Sequence, residues 1–138
     1  MMEKKIVLIT GASSGIGEGC ARKFAMNGYR LILNGRNVEK LNAVKKELED
    51  KYQADVCLLP FDVRQREAAK AALESLPAEW KEIDVLINNA GLVIGVDKEY
   101  EGDLDEWDVV IDTDVKALLA MTRLVAVSYT HLTLPTKL

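Results

Sequence analysis

The chain has little of what disulfide-built, membrane or nucleic-acid-binding proteins need. It holds two cysteines, Cys20 and Cys57, too few for a disulfide framework. Both are expected to be buried thiols in a reducing cytoplasm. Basic residues are in deficit, 18 Lys and Arg against 22 Asp and Glu, and the net charge of −4 repels phosphate backbones. Nucleic acid is therefore not an expected partner. No apolar run approaches the roughly 20 residues that span a bilayer, so no membrane partner is expected either. The apolar stretch Ile6–Thr10 behind the opening Met-Met-Glu-Lys-Lys is too short for a signal peptide. The expected location is cytoplasmic. No repeat, low-complexity tract or linker divides the 138 residues, which suffice for one domain. What remains is an ordinary globular composition, 49% apolar and 29% charged.

Short β-branched runs alternate with helical stripes. Lys5–Thr10 reads as a strand buried on both faces. Ile16, Cys20 and Phe24 recur every four residues, a helix ending at Asn27-Gly28. Tyr29–Asn34 is a second strand. Asn37 then caps a helix whose stripe is Val38, Leu41, Val44 and Leu48. Ala54–Pro60 is a third strand, Arg64–Leu76 a helix stopped before Pro77, and Ile83–Ile87 a fourth strand. After a loop over 91–102, Trp107, Val110, Ile111, Leu118 and Leu119 predict a long helix over 104–124. Trp80, Trp107 and Phe24 read as core or half-buried aromatics. The fold class is α/β. Right-handed crossovers make it a doubly wound parallel sheet of Rossmann type, here carried through the fourth strand and the long helix.

Thr10-Gly11-Ala12-Ser13-Ser14-Gly15-Ile16-Gly17 lies between the first strand and the first helix. Free N–H groups and the positive end of the helix dipole meet there, and glycines let a pyrophosphate approach the backbone. No Gly-Lys-Ser or Gly-Lys-Thr follows, which excludes a nucleoside-triphosphate P-loop. An NAD site places a carboxylate about 20 residues further on. Counting reaches Asn34-Gly35-Arg36-Asn37 and finds none. Arg36 would pair with a 2′-phosphate, so NADP is expected before NAD.

These residues resemble the short-chain dehydrogenase/reductase family. Thr10–Gly17 matches its glycine loop, Asp62-Val63 its Asp-Val pair, and Asn88-Asn89-Ala90-Gly91 its Asn-Asn-Ala-Gly turn. The likeness covers about 4–125. Within the family, Phe61–Arg64, Ser75–Trp80, Ile83–Gly95 and Trp107–Thr113 resemble the NADP-dependent 3-hydroxy acid (serine and allo-threonine) dehydrogenases. The resemblance implies that Gly11, Ala12, Ser13, Ser14, Gly15 and Ile16 hold the pyrophosphate, and Arg36 and Asn37 the 2′-phosphate. Asp62 and Val63 would contact adenine, Asp62 also serving as a helix cap. Asn89, Ala90 and Gly91 would run beside the ribose toward the nicotinamide, and Asn88 would tie strands together. No metal is implied.

The family's chemistry also needs a Ser, and a Tyr whose phenol is tuned by a Lys four residues later. Tyr129 has Thr133 at that place, so Ser128-Tyr129 is not the catalytic pair. Asp114 stands where the family has an Asn that supports a helix kink and a water relay. An ionised Asp accepts but cannot donate, so this one doubtful catalytic position is weakened. Ala117 stands where the subgroup tends to have Gly.

The tail is odd. Val127–Thr136 is the in-frame translation of a string resembling a common transposase sequencing adaptor, with the sole His131 inside it. The expected division is 1–125, an NADP-binding half of a dehydrogenase, and 126–138, a non-native tail.

The leading reading is an oxidoreductase fragment. Its parent moves a hydride between NADP and a small hydroxy acid or alcohol, and is expected to be a homodimer or homotetramer through the long helix. The chain alone is expected to be inactive and marginally stable, with a sheet edge unpaired. One alternative is a non-catalytic dinucleotide-binding module, mildly favoured by Asp114. Another is a methyltransferase-like domain for S-adenosylmethionine, against which Arg36 and the Asn-Asn-Ala-Gly turn argue.

Overall fold

The computed structural model describes residues 4–91 and 103–127. Four parallel strands, β1 (Ile6–Ile9), β2 (Arg30–Gly35), β3 (Val56–Pro60) and β4 (Val85–Ile87), lie in the order β3-β2-β1-β4. Registers pair Val7 with Leu31 and Val85, and Ile32 with Cys57. β1 explains why its sequence is apolar throughout. Val7 and Ile9 enter the core under α1 (Gly15–Met26) and α2 (Val38–Tyr52), while Ile6 and Leu8 enter the core on the opposite face. That second core also holds Ala69 of α3 (Arg66–Glu74), and Ala117, Met121 and Val125 of the last helix. Burial on both faces is the parallel-sheet condition. The expected doubly wound sheet is thus present, with β3 and β4 as its edges.

The helix ends obey local chemistry. Tyr29 N–H donates to the Phe24 carbonyl and Gly28 N–H to the Ala25 carbonyl, a Schellman closure after Asn27. The rings of Phe24 and Tyr29 meet edge to face at 4.8 Å. Asn37 Oδ1 accepts from Lys40 N–H at 3.1 Å and caps α2 as expected. Arg30 links layers: its guanidinium lies 4.1 Å over the Trp80 ring and donates to the Glu79 carbonyl.

The helix faces depart from the sequence reading. α1 buries Gly17, Ala21 and Ala25, one position on from the expected stripe. Ile16 is 79% exposed, and Cys20 and Phe24 are half-buried at the flank. Val38 is exposed while Leu41, Val44 and Leu48 are buried. Small side chains let α1 sit close on the sheet, and closeness rather than bulk decides which face is inside.

The long helix is three pieces: α4 (Leu104–Ile111), a π-helical turn (Asp112–Lys116) and α5 (Ala117–Val127). Each π turn takes up an extra residue and rotates the face that follows. Thr113, Ala117, Met121 and Val125 turn inward. Trp107, Ile111, Leu118 and Leu119 point out, contrary to the expected stripe, and Trp107 is not core. α3 starts at Arg66, two residues later than expected, with Gln65 rather than Asp62 as its cap residue. Cys20 and Cys57 are free thiols and only partly buried, where buried thiols were expected. No described helix is long and apolar enough to cross a membrane. The segment 92–102, and most of the tail including Ser128, Tyr129 and His131, lie outside the described residues.

Candidate functional site

The strand order reverses between β1 and β4. β1 leads through α1 to β2 on one side, while β4 flanks it on the other. Crevices at the carboxyl ends of strands at such a point are where doubly wound sheets bind ligands. A cleft of about 350 Å³ opens there. Gly11, Ser13, Ser14 and Ile16 form one wall, and Asn34, Gly35 and Arg36 the next. Phe61, Asp62, Val63 and Arg64 form a third, and Asn89, Ala90, Gly91 and Thr113 close it.

Thr10 joins the two loops that face each other across the switch point. Its buried hydroxyl oxygen accepts from Asn89 N–H at 3.0 Å and Ala90 N–H at 2.9 Å. Asn89 Nδ2 donates to the Gly11 carbonyl at 3.0 Å. Backbone packs on backbone: a Cβ on Gly11 would stand 2.9 Å from Ala90 Cα. Asn89, not Asn88, ties the strand ends together. Asn88 Nδ2 instead donates to Thr122 Oγ1 at 2.9 Å and anchors α5.

The glycine loop presents a helix N-terminus. Ser14 is the cap residue of α1 and makes no side-chain capping bond. First-turn N–H groups of a helix have no intrahelical partner, and with the dipole they suit a phosphate. Ala12 behaves otherwise. It is fully buried, and its N–H already donates to the Asn34 carbonyl at 2.8 Å, so it offers a ligand no free donor. Gly15 and Asn37 do not line the cleft, and Asn37's carboxamide is engaged in capping α2.

Charge at the far wall is cationic. Arg36 and Arg64 flank a single carboxylate, Asp62. The Arg64 guanidinium, bonded to Asp62 at 2.7 and 3.1 Å, holds this carboxyl below the usual carboxylate range. The Arg64 backbone N–H and the charges of Arg64 and Arg36 act in the same direction, and burial opposes them. The same pair pushes the Arg64 guanidinium up. Positive side chains outnumber negative ones at this end of the cleft, which favours an anion there.

Five lining residues, Asn34, Gly35, Phe61, Arg64 and Thr113, were not among the site residues expected from the sequence. Asn34 is 1% exposed, and its Nδ2 donates to the carbonyls of Leu59 and Phe61 at 3.1 and 3.0 Å. A polar side chain inside a doubly buried strand must find partners, and that was the available signal. Thr113 donates to the Val109 carbonyl at 2.8 Å, within the π turn. Arg64 was read as the start of a helix. Asp114, also in that turn, reaches the cleft mouth: its Oδ1 would lie 3.3 Å from a Cβ on Gly91. Among the described residues no group of three His, Cys, Asp or Glu side chains could hold a metal ion.

The sequence pattern of the short chain dehydrogenase family matches residues 5–131. The NADP-dependent 3-hydroxy acid dehydrogenase YdfG of Salmonella typhi is 45% identical over 120 residues, which are 87% of this chain and 47% of that protein. The chain therefore spans about half the length of the curated relatives it matches. A closed form of serine dehydrogenase complexed with NADP+ superposes with TM-score 0.80 at 41% identity, over 89% of this chain and 48% of the other. An alcohol dehydrogenase of Thermococcus sibiricus complexed with 5-hydroxy-NADP gives 0.85 at 29%, over 91% and 53%.

Proposed function

This chain belongs to the short chain dehydrogenase family, and on that premise we propose that it is the NADP-binding half of an oxidoreductase. The longer protein transfers a hydride between NADP and a small hydroxy acid or related alcohol. The observation that carries the cofactor reading is Arg36 on the cleft wall after β2, with no carboxylate in the loop it occupies. A carboxylate there would accept from a ribose 2′-hydroxyl and repel a 2′-phosphate, whereas a guanidinium pairs with the phosphate. The relatives named for NADP, and the solved relatives that carry it, support the same choice.

In this reading the N-terminus of α1, with Ser13, Ser14 and Ile16, holds the pyrophosphate. Asp62 and Val63 hold the adenine. Asn89, Ala90 and Gly91 guide the ribose toward the nicotinamide. The cofactor, when bound, supplies the hydride chemistry. The side chains here bind and orient it. The proton-transferring Ser, Tyr and Lys of the family have no match in this sequence, so the chain alone is read as non-catalytic. The hydroxy acid substrate rests on the names of the relatives. The outward apolar row Trp107, Ile111, Leu118 and Leu119 supports a homodimer or homotetramer for the longer protein.

Residues 126–138 are read as adaptor-derived. Resequencing the encoding DNA across the codons for Val125 to Leu138, with no transposase library, tests both halves of the proposal. A frame that continues into a fifth strand, a Ser and then Tyr-x-x-x-Lys supports it, and the extended protein is then expected to oxidise short 3-hydroxy acids with NADP. A gene that keeps this tail and stops after Leu138 would overturn the enzyme reading and leave a nucleotide-binding module.

A further inference from the structure

A second concavity, of about 790 Å³, lies between α3 and α5 and shares no lining residue with the cofactor cleft. That volume is in the range of small-ligand sites. Its floor is apolar: Leu73 comes from α3, and Leu119, Ala120 and Leu124 from α5. Spacings of one and four put these three on one face of α5, beside Ala117, Met121 and Val125, which enter the core. The rims are cationic. Arg66 and Lys70 stand on the α3 side and Lys116 and Arg123 on the other, against the carboxylates of Glu67 and Glu74. Arg66, Lys70 and Arg123 make no ion pair among the described residues. Lys116 meets Asp112 at 3.2 Å, but both side chains are well exposed, and such a pair yields readily to a competing anion.

Charge gathers at one end. Arg66 and Lys116 also line, with Arg64 and Asp112, a smaller pocket of about 180 Å³. From Lys116 to Leu124 the helix rises about 12 Å along the floor. The groove therefore has a cationic head and an apolar body. The aliphatic stems of Lys70 and Arg123 add cover to the body while their charges stay in water. A ligand that complements both parts is an anion at one end with a chain of methylene groups behind it. A second copy of this chain fits less well, because two-fold pairing across the groove would set its cations against their own copies. We propose that this groove is a binding site for a medium-chain fatty acid, which seats its carboxylate between Arg66 and Lys116 and lays its chain along Leu73, Leu119, Ala120 and Leu124. The site is separate from the cofactor cleft and does not depend on what that cleft binds.

The test titrates the 138-residue chain with decanoate below its micelle concentration, by calorimetry, with 1-decanol and acetate as controls. Decanoate is expected to bind at least about tenfold tighter than 1-decanol, the value of its charge-assisted bonds. Acetate, which lacks the chain, is expected to bind at least about a hundredfold more weakly than decanoate. The double variant Arg66→Gln, Lys116→Gln is expected to lose about tenfold for decanoate and less than about twofold for 1-decanol. Leu119 is 62% exposed, so Leu119→Asp places no burden on folding, and it is expected to lose about tenfold or more for both. Amide NMR shifts on adding decanoate are expected to centre on Leu73, Ala120 and Leu124. Shifts centred instead on Trp107 and Ile111, or a decanoate affinity that neither variant lowers, would overturn the proposal. Equal affinity for decanoate and 1-decanol would remove the headgroup seat and the proposal with it. A chain that binds no decanoate, sediments as a dimer and becomes a monomer in Leu119→Asp would give the groove to a second copy and overturn the proposal. A folded monomer that binds no decanoate would overturn it as well.

Discussion

A methyl group placed on Gly17 would stand 2.1 Å from the carbonyl oxygen and 2.9 Å from the carbonyl carbon of Gly11, and 2.5 Å from the side-chain Nδ2 of Asn89. Helix α1, the glycine loop and the turn after β4 thus converge on a point with no room for a side chain. Two of the atoms in the way belong to backbone, which cannot swing aside. Gly17→Ala is expected to cost about 1–3 kcal/mol and to weaken NADPH binding sharply, since both loops of the cleft must shift. Gly19, two residues along the same helix, meets nothing within 4 Å. Gly19→Ala is expected to raise stability by about 0.5–1 kcal/mol, because alanine has less backbone freedom to lose. Thermal melts of the two variants against wild type check the opposite signs. A Gly17→Ala chain melting with the wild type would contradict the packing.

Thr10 offers a subtler probe. Its hydroxyl oxygen receives two backbone N–H groups, from Asn89 and Ala90, in a buried place. Thr10→Val keeps the shape and removes the acceptor. Leaving buried donors unsatisfied is expected to cost about 1–3 kcal/mol. The turn that would carry the nicotinamide end should loosen with it. Amide hydrogen exchange at Asn89 and Ala90 is expected to speed up in the variant, and unchanged exchange would contradict the role given to the hydroxyl.

The Asp62–Arg64 pair gives a pH dependence with a definite sign. The folded chain holds the Asp62 carboxyl below its ordinary range, chiefly through the Arg64 guanidinium. The unfolded chain therefore takes up this proton first as pH falls. The pair's contribution to stability is present above the unfolded value of about 3.9 and is lost as pH falls through the lower folded value. The wild-type melting temperature is expected to fall more between about pH 6 and about pH 3 than that of Asp62→Asn, in which this group no longer titrates. Parallel slopes for the two proteins would contradict the pairing.

The sequence made the sheet and the cleft legible because their signals are local. A β-branched run before Gly11, and the asparagines after Ile87, mark strand ends whatever surrounds them. Helix facing was not legible from apolar spacing. In α1, the π turn and the start of α5 the buried residues are Gly17, Ala21, Ala25, Thr113 and Ala117, whose small side chains carry little hydrophobic signal. The larger Ile16, Trp107 and Leu119 are displaced outward, Leu119 to 62% exposure. The π turn compounds this for the last helix, because a fixed period fails across it. Ala12 lay inside the glycine motif, but its N–H is taken by Asn34, a long-range bond that no spacing announces. Arg64 was hidden because its partner Asp62 looked like a helix cap, and the helix begins only at Arg66.

The most direct measurement is the ratio of NADPH to NADH affinity, read by nicotinamide fluorescence in the 138-residue chain and in Arg36→Glu. Arg36 on the cleft wall is expected to give the wild-type chain a preference for NADPH of about tenfold or more, the value of one guanidinium–phosphate pair. Arg36→Glu is expected to reverse the ratio, since a carboxylate there accepts from the 2′-hydroxyl and repels the 2′-phosphate. Equal affinities in the wild-type chain, or a ratio that Arg36→Glu leaves unchanged, would contradict the assignment of this cleft to NADP.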